Sequence, residues 1–162
     1  MEADAVIHRL GLVPLPREGG WFRETWRSPE RVATPAGERS RSTAILYLLA
    51  PEAHSALHRL RFDEVWHWHL GDPVEMAILP AAGAAERVLL GPGIGDGMRV
   101  QQRVPAGAWQ GARLVPGGRW ALLGTTMSPG FDSADFELAG PGAAASAPAD
   151  LVPLLRALAP RR

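Results

Sequence analysis

Cysteine is missing from the 162-residue chain, and with it go disulfides, thiolate metal sites and cysteine nucleophiles. Lysine is missing too. All 17 basic residues are arginine, which removes Schiff-base chemistry and any lysine acid or base. Neither sign of charge is in excess, because 17 arginines meet 17 acidic residues. Without a basic surplus to neutralise phosphates or anionic headgroups, neither nucleic acid nor a membrane surface is an expected partner. No segment approaches the ~20 apolar residues of a spanning helix, and the amino terminus has no basic stretch leading into an apolar run. The expected location is cytoplasmic, which suits a thiol-free chain. Tyr47 is the single tyrosine, so any proton transfer falls to a histidine, a carboxylate or that one phenol.

A chain of this length folds as one domain with a core of its own. Val6, Ile7 and Leu10 recur at helical spacing and stop at Gly11, which predicts a short helix over 4–10. Beyond it the apolar runs are short, rich in Val, Ile, Leu and Trp, and punctuated by Gly and Pro, the pattern of many short strands. The expected strands are 20–27, 43–49, 56–61, 64–70, 74–79, 87–90, 99–104, 108–115, 119–126 and 136–138. Such a series predicts an antiparallel β-barrel around a pocket, occupying residues 1–140. The Pro, Gly and Ala tract over 140–149 reads as a linker. Asp150 as N-cap, the stripe Leu151, Leu154, Leu155 and Leu158, and the stop at Pro160 predict a helix that ends the 141–162 segment.

The stretch from His58 to Gly71 concentrates three of the five histidines with two acids and two tryptophans. On a strand over 64–70, side chains alternate, so Glu64, Trp66, Trp68 and Leu70 share one face while Val65, His67 and His69 share the other. A carboxylate placed among tryptophans has its pKa raised unless a partner such as histidine compensates. The other reading of Glu64 is an ion pair with Arg59 or Arg61.

This stretch resembles the first motif of the cupin superfamily, with His58 at the first histidine, Leu60 at the second, Glu64 at the glutamate and Gly71 at the closing glycine. Val104-Pro105-Ala106-Gly107-Ala108-Trp109-Gln110 resembles the second motif, with Gln110 at the final histidine. The runs Glu18-Gly19-Gly20-Trp21-Phe22-Arg23-Glu24-Thr25, Ser42-Thr43-Ala44-Ile45 and Pro129-Gly130-Phe131-Asp132 are similar to a family of small cupins of unknown function, cupin family five. The resemblance spans roughly residues 8 to 140 and implies an all-β jelly roll, a double-stranded β-helix, paired into a homodimer. More distantly, Arg17 to Glu24 resembles the amino-terminal motif of the dTDP-sugar 3,5-epimerases. There the positions of Phe22 and Glu24 help to line the sugar site and the position of His58 is the base. The catalytic lysine of those enzymes has no counterpart.

The expected function is a cupin that binds a small molecule, with metal-independent acid and base chemistry of isomerase type by His58 and Glu64. Phe22, Glu24, Tyr47, Trp66, Trp109 and Gln110 are the candidate ligand-binding residues. No cofactor is favoured, since two of the four metal positions carry Leu60 and Gln110. The alternatives are a metal-dependent oxygenase or isomerase holding a divalent ion with His58, Glu64 and Gln110, and a non-catalytic binding module. The His67-x-His69 pair is a weaker metal candidate.

Overall fold

The computed structural model describes residues 2–140, 142–145 and 147–160. Helix α1 (Ala3–Leu10) ends where Gly11 takes the left-handed conformation, φ 61°, and closes the last turn with its backbone N–H. Seven strands follow before the centre of the chain: β1 (Val13–Pro14), β2 (Trp21–Arg27), β3 (Arg31–Thr34), β4 (Gly37–Ser40), β5 (Thr43–Leu49), β6 (Ser55–Leu60) and β7 (Glu64–Gly71). Then come β8 (Val74–Leu79), β9 (Glu86–Leu90), β10 (Gln101–Val104), β11 (Trp109–Leu114), β12 (Ala121–Met127), β13 (Phe136–Leu138) and helix α2 (Val152–Ala157).

Two antiparallel sheets face each other in a jelly-roll arrangement. One has the order β1-β2-β5-β12-β7-β10 and the other β13-β6-β11-β8-β9. Among the described residues the sheets are not hydrogen-bonded into a closed barrel, so the expectation of a barrel is corrected to a two-layered roll. Alternation along the strands fills the space between the layers with Leu49, Trp66, Met76, Ile78, Leu90 and Leu123, all essentially inaccessible. Each outer face has its own helical cover. Val6 and Leu12, at α1 and just beyond it, pack with Leu48 and Leu122 on the six-stranded sheet. Leu154, Leu155 and Leu158 of the α2 region pack with Leu57, Ala77 and Leu79 on the five-stranded one.

The elements differ from the sequence reading in instructive places. The hairpin β3–β4 has almost no apolar pattern. A turn at Gly37, φ 98°, closes it, and buried Arg39 ties it down by donating to Asp135 at 2.7 and 3.1 Å. The register of β7 against β12 shifts between Leu122 and Leu123, which breaks the alternation at the strand end. Leu70 is therefore 57% exposed instead of sharing the inner face of Trp66. At the carboxyl terminus, Leu151 rather than Asp150 is the N-cap residue of α2, and no side chain caps it. Within the expected linker, Ala143, Ala144 and Ala147 pack against the α2 cluster, because small apolar side chains can still fill a shallow surface. No helix among the described residues is long and apolar enough to cross a membrane.

Candidate functional site

Strand pairing brings the polar residues together from both layers. On the five-stranded sheet Gln110 of β11 lies directly across from His58 of β6, and the alternation that turns both inward turns their neighbours Trp109 and Arg59 outward. On the six-stranded sheet Glu64 begins β7 beside Met127 of β12, and Trp66 lies across from Thr125. His58 and Gln110 are each 1% exposed and Glu64 is 6% exposed. So large a polar group in a core persists only where its hydrogen bonds are met internally.

They are met by a network that spans the gap between the sheets. The indole N–H of Trp66 donates to Glu64 Oε2 at 3.0 Å and to Gln110 Oε1 at 2.8 Å. The amide N–H of Gln110 donates to the same Glu64 Oε2 at 2.7 Å. Burial pushes the Glu64 carboxyl above its ordinary range. The nearby His58 opposes that shift, the charge of Glu18 adds to it, and the hydrogen bonds from Thr125 and Gln110 oppose it. His58 Nδ1 lies 2.8 Å from the carbonyl oxygen of Ala56. A carbonyl can only accept, so Nδ1 carries a proton, and in the neutral ring the lone pair is on Nε2. Phe136 stacks on the imidazole with centroids 5.1 Å apart.

Behind His58 sits a second acid that sequence reasoning did not single out. Glu18 accepts a hydrogen bond from Ser55 Oγ at 2.6 Å and lies 4.0 Å from His58 Nδ1. The turn that presents it is tightly wound, with Arg17 at φ 68°, Gly19 at φ 102° and Gly20 at φ 73°. A Cβ on Gly19 would meet the carbonyl oxygen of His54 at 2.4 Å, and one on Gly20 the Tyr47 ring at 2.7 Å. Only glycine fits either place. Tyr47, buried in the core, donates its hydroxyl to the carbonyl of Gly19 at 2.7 Å and so clamps the turn. Burial and the charges of Glu18 and Glu64 push its phenol well above the ordinary value.

His58, Glu64 and Glu18 all face one cavity of about 170 Å³, completed by Leu15, Phe22, Ile45, Leu60, Met127 and Phe131 among others. Glu24 and Arg27 line it as well. They pair with each other at 2.6 Å, and Arg27 also donates to the carbonyl of Phe131 at 3.1 Å. Burial lowers and the Glu24 hydrogen bond more than restores the Arg27 charge.

Of the residues singled out from sequence, His58, Glu64, Phe22 and Glu24 border this cavity. Gln110, Trp66 and Tyr47 stand behind its wall and hold the groups that do. Trp109 is elsewhere: on the outer face its ring lies 4.6 Å beneath the Arg59 guanidinium and against the α2 cluster. Besides Glu18 and Thr43, which lay within quoted motifs, the polar cavity residues overlooked were Arg27 and Thr125. Glu18 lay within a quoted motif, and its presence beside two glycines was the available signal; nothing marked the other two.

The donor set does not fit a resident metal ion. Leu60, a hydrocarbon, occupies the place of one ligand. Gln110 Oε1 is held by Trp66, and Gln110 Nε2 by Glu64. No three His, Cys, Asp or Glu side chains among the described residues gather in a metal-holding group. The His67–His69 pair fares no better, since Gln101 donates to His67 Nδ1 at 2.9 Å and His67 Nε2 bonds Thr126 Oγ1 at 2.9 Å. With both nitrogens engaged, that imidazole has none to offer.

A family model described as "Cupin superfamily (DUF985)" matches residues 4–139 of the chain. A hypothetical protein from Leishmania major is 32% identical with a TM-score of 0.86, over 99% of this chain and all of that one. A protein from Shewanella oneidensis is 30% identical with a TM-score of 0.85, over 100% of this chain and 99% of that one. An uncharacterized protein of Saccharomyces cerevisiae is 26% identical over 133 residues, and the match spans 74% of this chain and 66% of the yeast protein. A dTDP sugar isomerase from Desulfovibrio desulfuricans shares the fold alone, at 14% identity and a TM-score of 0.52 over 74% of this chain and 83% of that one.

Proposed function

Since the chain belongs to the DUF985 family of the cupin superfamily, whose folds enclose pockets, we propose that it binds a small molecule in the cavity between its sheets and moves protons on it with His58 and Glu64, without a metal. The observation that carries this reading is a fixed imidazole tautomer and a buried carboxyl that line one cavity from its two opposite layers. At about 170 Å³ the cavity compares with the engineered cavity of ~150 Å³ that admits benzene, so a molecule of roughly six to ten non-hydrogen atoms fits.

The chemistry available is a proton shift of isomerase type. His58 Nε2 takes a proton from the carbon beside a carbonyl while Glu64, whose carboxyl burial pushes above its ordinary range, gives one to the carbonyl oxygen. The C–H electron pair becomes the new carbon–carbon π bond of an enol. On an α-hydroxy carbonyl compound the enol is an enediol: its second hydroxyl returns a proton to Glu64 while His58 gives its proton to the former carbonyl carbon, which moves the carbonyl by one carbon and restores both side chains. Gln110, Trp66 and Thr125 keep the carboxyl in place and Ala56 keeps the ring in its tautomer; these are positioning roles.

Protein treated with EDTA is expected to bind cyclohexanone as well as untreated protein, read from the NMR shift of the Trp66 indole N–H. Stoichiometric iron, manganese, nickel or zinc that copurifies and disappears in His58→Ala would overturn the metal-independent reading. The proposal also takes the chain to be a cytoplasmic homodimer, which covers outward apolar groups such as Trp26, 54% exposed. Sedimentation equilibrium giving a monomer mass at tens of micromolar would remove the dimer.

A further inference from the structure

The polar end of the cavity is rich in acceptors, and most of its donors are already directed at protein groups. Trp66 Nε1 and Gln110 Nε2 point at Glu64, Ser55 Oγ at Glu18, Tyr47 Oη at Gly19 and His58 Nδ1 at Ala56. Thr125 also bonds Glu64. Arg27 spends three of its five N–H groups, one on each guanidinium nitrogen, on Glu24 and the Phe131 carbonyl. What remains for a ligand is the Glu64 carboxyl that meets its carbonyl, the lone pair of His58 Nε2 in the neutral ring, the Thr43 hydroxyl, the two other N–H groups of Arg27 and the Glu18 carboxylate; of these, Glu18 is the group that brings a charge with no arginine paired to it.

Charge runs the same way as hydrogen-bond sense. Glu18, Glu24 and Glu64 border the space beside one arginine, and Glu24 already holds that arginine. The other guanidinium near Glu18 belongs to Arg17, which lies 5.1 Å over the Phe136 ring. Among the described residues, His58 at 4.0 Å is the single ion-pair contact of Glu18. An anionic ligand would meet the Glu18 carboxylate, with the one bordering arginine already neutralised by Glu24. A neutral one would leave Glu18 desolvated without a cation.

We propose that the cavity takes a small molecule bearing a primary ammonium group, which sits on the Glu18 carboxylate while its uncharged body lies between His58 and Glu64. An ammonium brings one positive charge, with three donors around it, to a carboxylate that no arginine pairs. The remaining lining, Leu15, Phe22, Ile45, Leu60, Met127 and Phe131, suits an apolar body, and its two phenyl rings favour a cation over an anion. Carboxylic acids and phosphate esters are excluded by the same reasoning. This inference rests on the cavity being the ligand site.

Benzylamine, benzyl alcohol and benzoate have bodies of one size and differ in charge. Titrated in EDTA at pH 8 and followed at the Trp66 indole N–H, benzylamine is expected to bind about tenfold or more tightly than either of the others. Glu18→Gln, which keeps the Ser55 hydrogen bond, is expected to erase that preference, and Glu18→Asp to retain most of it. Equal binding of all three, tighter binding of benzoate, or an unchanged preference in Glu18→Gln overturns the ammonium assignment and leaves the cavity a ligand site. Should none of the three, nor cyclohexanone, move the indole signal, the cavity itself is not the site and both readings fall. If Zn²⁺ or Mn²⁺ alone, added without EDTA, shifts the signal and displaces benzylamine, the cation taken is inorganic and the organic assignment is overturned.

Discussion

In Glu64→Gln, exchange of deuterium from solvent into the carbons flanking the carbonyl of bound cyclohexanone is expected to slow by about 10²–10⁴-fold, the usual worth of one positioned acid or base. Binding should change little. The amide oxygen of the variant can still accept from Trp66 Nε1 and Gln110 Nε2, which now bond Glu64 Oε2, so the wall keeps its shape. Exchange at the wild-type rate in the variant would remove Glu64 from the chemistry, and absence of exchange in the wild type would leave a binding module.

The same substitution should alter how stability depends on pH. Burial raises the Glu64 carboxyl above its ordinary 4.5 in the folded protein, so between the two values the folded state holds a proton that the unfolded state has released. The associated stability is fully present below the unfolded value and is lost as pH rises through the folded one, at up to about 1.4 kcal/mol per pH unit. Glu64→Gln carries no such proton. Denaturant titrations across pH 4 to 8 are therefore expected to show the stability of the variant minus that of the wild type rising with pH; a difference that falls or stays constant would overturn the assigned shift.

Leu158→Ala is expected to destabilise the fold by about 2–5 kcal/mol, the range for emptying a well-packed leucine site. Leu158 is wholly buried. Its methyl Cδ1 reaches to within 3.2 Å of where a Cβ on Gly111 would stand, and its carbonyl accepts from Leu57 N at 2.8 Å. The side chain thus seals the outer face of the very strands, β6 and β11, that carry His58 and Gln110 inward. Calorimetry should show the midpoint falling by about 2–4 °C per kcal/mol, with Leu158→Met nearly neutral. A loss below 1 kcal/mol, within the ~±0.5 kcal/mol scatter of surface changes or little above it, would make residues after 140 an appendage to a domain complete without them.

Strand positions were legible because alternation and turn residues are local signals. β5, β8 and β13 coincide with the expected spans, and Gly11 ends α1 where the pattern stops. The hairpin β3–β4 was not legible, since its anchor is the Arg39–Asp135 pair, formed across 96 residues. For the site, the cupin motifs were enough to place His58 and Glu64 as candidates. They could not say that Trp66 and Gln110 would saturate each other, nor that Trp109 would face outward. Those outcomes depend on the register of β11 against β6, which one residue of slip would invert. Glu18 illustrates the limit best: its neighbours Gly19 and Gly20 announce a sharp turn, but only the packed position of Tyr47 decides where the acid at its tip ends up.

One layer of the roll carries His58 and the opposite layer carries Glu64, and the Trp66–Gln110–Glu64 contacts bridge the gap at 2.7 to 3.0 Å. The spacing of His58 from Glu64, on which the proposed proton shift depends, is thereby a property of how closely two slabs are stacked rather than of any loop. Repacking a distant leucine between the slabs would change that spacing without touching either side chain, so the proposed chemistry would drift with the hydrocarbon filling alone.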